Sequence, residues 1–65
     1  MKISFLDFWP GFDQKNNFFY HSFNQLGIKS KIVSPRRADI IFFSCFGKEN
    51  LKYNNCKKIL FLGEN

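Results

Sequence analysis

Short runs that are almost wholly apolar alternate with polar stretches along the chain. The first run, Ile3 to Phe8, is interrupted only by Ser4 and Asp7 and is broken by Pro10-Gly11. It predicts a strand covered on both faces, as in a parallel sheet, because such a strand has no solvent side to alternate toward. From Asp13 to Leu26 the period changes. Phe19, Phe23 and Leu26 recur at i, i+4 and i+7, the spacing of one helix face. Asp13, Asn16 and Asn17 are candidate N-caps, and Gly27 stands where a left-handed C′ residue is wanted. Ile28 to Ser34 predicts a weaker second strand closed by Pro35; Lys29, Ser30 and Lys31 suit an edge guarded against further pairing. Ala38 to Phe43, with its Ile40-Ile41-Phe42-Phe43 run, predicts a central third strand. Gly47 to Tyr53 is polar, with a short helical turn expected over Glu49 to Lys52. Ile59 to Leu62 predicts a fourth strand, followed by Gly63.

Strand, helix, strand, strand, short connection, strand is the order of an α/β layer. The right-handed crossover and the polar second strand predict a partial Rossmann-like parallel sheet of four strands in spatial order 2-1-3-4, with one main helix. One helix can cover only one face. The other face is expected to lie bare, so the chain reads as the first part of a larger α/β domain cut off after its fourth strand.

Composition narrows the function. Sixty-five residues make one small domain at most, and 20% aromatic content with ten Phe excludes a disordered chain. No apolar run approaches the ~18 residues of a membrane span. Met1-Lys2-Ile3-Ser4-Phe5 lacks the long apolar region of a signal peptide, and a cytoplasmic location is expected. The net charge of +5 invites nucleic acid, but the cations are scattered, with only Arg36-Arg37 and Lys57-Lys58 adjacent, so a solvated surface is the better account. Cys45 and Cys56 are read as reduced, partly buried thiols, and His21 as a partly exposed helix residue. No metal-ligand spacing is present.

Ligands of open parallel sheets bind outside the carboxyl ends of the strands. Three stretches end there: Trp9-Pro10-Gly11-Phe12, Ser44-Cys45-Phe46-Gly47 and Gly63-Glu64-Asn65. Gly63 permits a sharp turn or a close approach. Glu64 could take a proton from a hydroxyl, and Trp9 and Phe12 could stack on the apolar face of a sugar ring. Alone, one carboxylate after a strand is better read as a solvated loop residue, and Trp9 as a rim aromatic.

The segments "KISFLDFWPGFD" at 2 to 13, "VSPRRADIIFFSCFG" at 33 to 47 and "LKYNNCKKILFLGEN" at 51 to 65 resemble, in order and spacing, the N-terminal part of the bacterial alpha-1,3-fucosyltransferases, glycosyltransferase family ten. The resemblance covers essentially the whole chain. It implies a GT-B enzyme of two Rossmann-like domains, with residues 1 to 65 an acceptor-side fragment of the first and the GDP-fucose-binding domain absent. It implies inverting transfer of fucose to a GlcNAc-containing glycan, as in lipopolysaccharide or protein glycosylation. Glu64 matches the glutamate of the family's "TGEN" motif, the general base. Trp9, Phe12 and Asn65 are the implied acceptor contacts. No cofactor or metal is implied; GDP-fucose would enter only with the C-terminal domain, and the full-length enzyme could associate peripherally with a membrane. Leu62 departs from the family's threonine, removing a hydroxyl beside the base. The isolated chain is expected to be inactive and to fold poorly. The competing readings are a small basic, aromatic-rich module for a glycan, RNA or acidic partner, and a gene remnant without function.

Overall fold

The computed structural model describes residues 1–62. Four strands form one parallel sheet: β1 (Lys2–Leu6), β2 (Lys31–Ile32), β3 (Ile40–Phe43) and β4 (Lys57–Leu60), in the order β2-β1-β3-β4. One helix, α1 (Phe18–Gln25), crosses from β1 to β2. This is the partial Rossmann-like layer that the hydrophobic pattern predicts.

The register explains the core. Ile3 faces Ile40 and Phe5 faces Phe42 across β1 and β3. Side chains alternate along a strand, so these four share one face. Helix α1 lies over that face. Phe19 stacks on Phe42 at 4.8 Å, Phe42 stacks on Phe5 at 5.3 Å, and Tyr20 and Phe23 pack beside them. The core is thus largely aromatic, which lets a short chain bury much area with few residues.

The helix is shorter than the pattern predicts. Residues 13 to 17 form a turn instead. The Asp13 side chain accepts the Lys15 N–H at 2.9 Å, and the Asp13 carbonyl accepts from Asn16 N–H and Asn17 Nδ2. Asn17, in extended conformation, caps the helix by accepting the Tyr20 N–H at 3.0 Å. At the other end Gly27 has φ +77°, and Gly27 N–H and Ile28 N–H donate to Asn24 and Phe23 carbonyls, a Schellman closure. Leu26 therefore falls outside the helix and is 73% exposed, so it does not join the apolar stripe.

The strand limits also differ. β1 stops at Leu6 because Asp7 takes a left-handed conformation. Ala38 is buried, but it closes a 3-10 turn (Pro35–Arg37) that the pattern missed. β4 starts two residues earlier than its apolar run, with Lys57 opposite Ile40 and Lys58 opposite Ile41. A lysine in a strand is tolerable when its stem packs and its ammonium finds oxygen. Lys58 Nζ lies 5.8 Å from the Phe43 ring centre and donates to the Asn50 carbonyl at 3.0 Å.

The second face is not bare at its centre. Ser4 and Ile41 face each other there and are 2% and 0% exposed. A second 3-10 turn, Glu49–Lys52, and the first one stand in for the missing helix. Asn50 is buried, Asn55 Nδ2 donates to the Pro35 and Arg36 carbonyls, and the Arg36 guanidinium sits over Tyr53. Toward β4 both faces are less covered: Leu60, opposite Phe43, is exposed on this face, and Ile59, opposite Phe42, is exposed on the α1 face.

Candidate functional site

At the carboxyl ends of β1 and β4 the aromatic core opens to solvent. Phe12 N–H donates to the Trp9 carbonyl at 3.1 Å, closing a four-residue turn with Pro10 second and Gly11 third. Gly11 has φ +87°, the value a type II turn requires at its third position, and Pro10 supplies the fixed φ of the second. Nothing lies within 4 Å of where a Gly11 Cβ would be, so conformation rather than space selects glycine here.

The turn brings two rings together. Trp9 and Phe12 meet edge to face at 5.2 Å, and Phe12 stacks on Phe8 at 4.1 Å. Phe61, just past β4, approaches Trp9 at 6.5 Å and Phe19 edge-on at 5.0 Å. Ser44 Oγ donates to the Phe61 carbonyl at 2.7 Å and fixes that end of the chain against β3. Between these rings lies a cleft of about 350 Å³. Its walls are Trp9, Phe12, Phe18, Phe19 and Phe61, and its polar rim is Asp13, Asn16 and Asn17. His21 Nε2 is 2.8 Å from Asn16 Oδ1 and holds that amide from behind. Among the described residues no lysine or arginine lines the cleft. An aromatic wall facing a carboxylate and amides suits a neutral polyol, whose ring carbons stack while its hydroxyls donate and accept. It does not suit a phosphate, which seeks cations or a row of N–H groups.

The loop after β3 borders this region. Phe46 meets Trp9 edge to face at 6.2 Å. Asp7 anchors the loop: its carboxylate accepts the N–H groups of Glu49 and Asn50 at 2.9 and 2.8 Å and the Asn50 side-chain amide at 2.7 Å. Burial pushes the Asp7 carboxyl up, but the side-chain and backbone donors of Asn50 and the N–H of Glu49 outweigh it and hold it below its ordinary 3.8. A carboxyl depressed in the folded state stabilises the fold fully above its unfolded pKa and loses that contribution as the pH falls through its folded one. Urea unfolding of the parent and of Asp7→Asn is therefore expected to give curves that differ at neutral pH, begin to approach each other as the pH falls below about 4, and meet only below the folded pKa. Curves that stay parallel into acid would remove Asp7 as the source.

Of the residues singled out in the sequence, Trp9 and Phe12 lie together in the cleft, Trp9 38% exposed. Glu64 and Asn65 lie outside the described residues. Leu62 is 56% exposed. Cys45 and Cys56 are free, and Cys45 is exposed rather than partly buried. His21 is exposed on the helix. Pattern reading missed Phe18, Phe61, Asp13 and Asn16 as lining residues. The signal for Phe61 was its alternation with Leu60 and Leu62 once Lys57 is admitted to the strand. For Asp13 and Asn16 it was their place just after the Pro-Gly turn.

The family model described as the alpha-(1,3)-fucosyltransferase FucT N-terminal domain matches residues 3–65. The chain belongs to this family. No curated protein and no solved structure matches it. The sheet order of this FucT N-terminal segment is that of a partial Rossmann-like, GT-B-like layer. Among its described residues no helix is long and apolar enough to cross a membrane. Among them, too, no three His, Cys, Asp or Glu side chains group as a metal site. The FucT segment therefore presents its aromatic cleft where parallel sheets usually meet ligands, at the strand carboxyl ends.

Proposed function

We propose that the chain is the acceptor-binding segment of an inverting alpha-1,3-fucosyltransferase, that the cleft takes a GlcNAc-containing glycan, and that Glu64 is the general base. The observation that carries this reading is the cleft itself: aromatic walls, a carboxylate and amide rim, and no cation, in a chain of the FucT family. Trp9 and Phe12 stack on the sugar ring, and Asp13 and Asn16 meet its hydroxyls. Asn65 is a further acceptor contact.

In the reaction, the acceptor hydroxyl oxygen forms a bond to the fucose anomeric carbon as the bond from that carbon to the GDP oxygen breaks. Glu64 takes the hydroxyl proton and GDP leaves with the bonding electrons, inverting the centre. A cleft without cations leaves the diphosphate to a second, C-terminal domain. The isolated chain accordingly binds acceptor and transfers nothing.

A titration with N-acetyllactosamine followed by ligand-observed NMR tests the acceptor reading. Trp9→Ala is expected to weaken binding roughly 5–30-fold, the cost of removing a central aromatic contact of about 1–2 kcal/mol. Equal binding by parent and variant, or none by the parent, would end the assignment of this cleft to the glycan.

A further inference from the structure

Asp7 interrupts an apolar strand and holds φ +61°, a left-handed conformation that costs a non-glycine residue on the order of 1 kcal/mol. Its surroundings give the position a purpose. The Asp7 carbonyl accepts the Phe46 N–H at 3.0 Å, while its carboxylate accepts three further donors from Glu49 and Asn50. A Cβ on Gly47 would sit 2.6 Å from Asp7 Oδ1, so the loop must carry glycine where it passes the carboxylate. Asn50, held this way, is itself buried and receives Lys58 on its carbonyl. One residue thus ties the tip of β1 to both ends of the segment 46–50. Trp9 stands two residues after Asp7, and Phe46 is the residue bonded to the Asp7 carbonyl. These are the two rings that meet edge to face beside the cleft.

We propose that Asp7 is a positioning residue of the cleft: it latches the loop after β3 so that Phe46 braces Trp9 for stacking. The left-handed backbone at Asp7 turns its carbonyl toward Phe46 while its side chain reaches Glu49 and Asn50. A regular strand residue, with backbone and side chain on fixed alternating directions, could not do both. The ligand in this inference, though not the latch, rests on the acceptor reading.

Asp7→Asn separates the two. Asparagine tolerates the left-handed region and keeps the shape, but it turns an NH₂ group onto donors that need an acceptor. Nuclear Overhauser contacts between the Trp9 indole and the Phe46 ring are expected to vanish, with a red shift of Trp9 fluorescence. The Phe5–Phe42 and Phe19–Phe42 contacts remain, and binding of N-acetyllactosamine weakens about tenfold, within the usual coupling between touching residues. Gly47→Ala, which forces the loop off the carboxylate from the other side, gives the same spectroscopic change. Combined with Asp7→Gly it adds nothing further, because the group it strikes is gone. Should Asp7→Asn fail to fold, the Gly47 pair decides. Retention of the Trp9–Phe46 contacts in a folded Asp7→Asn or Gly47→Ala chain would overturn the proposal, even if overall stability fell. Loss of those contacts in a chain whose parent binds no sugar would leave the latch standing and end the acceptor reading.

Discussion

Glu64→Gln, in an enzyme that joins this segment to a donor-binding domain, is expected to lower fucose transfer by roughly 10²–10⁴-fold, the usual contribution of a positioned general base. Glutamine keeps the size and one carbonyl oxygen of glutamate but cannot take a proton at neutral pH. The acceptor oxygen must then attack the anomeric carbon while still protonated. Affinity for GDP-fucose should be unchanged, because on the proposed reading the donor is held by the other domain and Glu64 acts only on the acceptor hydroxyl. Affinity for the acceptor should change little, since stacking on Trp9 and Phe12 does not depend on the base. Single-turnover transfer measured beside donor binding gives both quantities. Transfer at the parental rate would remove Glu64 from the reaction and leave the cleft as a binding surface.

The second large effect is on folding. Phe42 is the hub of the core: it stacks on Phe5 and Phe19, and Phe23 tilts against it at 5.8 Å. Phe42→Ala removes a buried ring and leaves a cavity between the sheet and α1, a change that costs about 3–5 kcal/mol. A domain of this length has about 3–10 kcal/mol in all, so much of the population should be unfolded. Leu51→Ala, on an exposed side chain, is the control and should fall within about 0.5 kcal/mol of the parent. Urea unfolding followed by far-ultraviolet circular dichroism compares the two. A Phe42→Ala chain with near-parental stability would mean that the aromatic stack is not what holds α1 to the sheet.

The layer was legible because its signals were redundant. Ile40-Ile41-Phe42-Phe43 can only be a covered strand in so short a chain, and the lysines around β2 mark it as an edge. What the pattern misplaced were the positions where a polar side chain replaces a backbone partner. Asp13 and Asn17 convert the start of the expected helix into a capped turn, through bonds that local spacing permits but does not demand. Lys58 hides in a strand because Asn50, eight residues earlier, offers it a carbonyl. The site divides in the same way. Trp9 and Phe12 could be named from a Pro-Gly turn after a strand. Phe61 could not, because its role depends on a strand register that begins at Lys57. Asp7 was visible only as an interruption, since its side-chain partners lie more than forty positions away.

The two sides of the sheet are unlike, and the difference sets how anything can be added to it. β2 is two residues long and begins at Lys31, so an incoming ribbon finds little backbone there and a charge to displace. β4 is the longer margin, four residues that carry exposed Ile59 and Leu60 beyond its two lysines. An added ribbon would find twice the length of backbone there, so the slab extends more readily from that side than from β2.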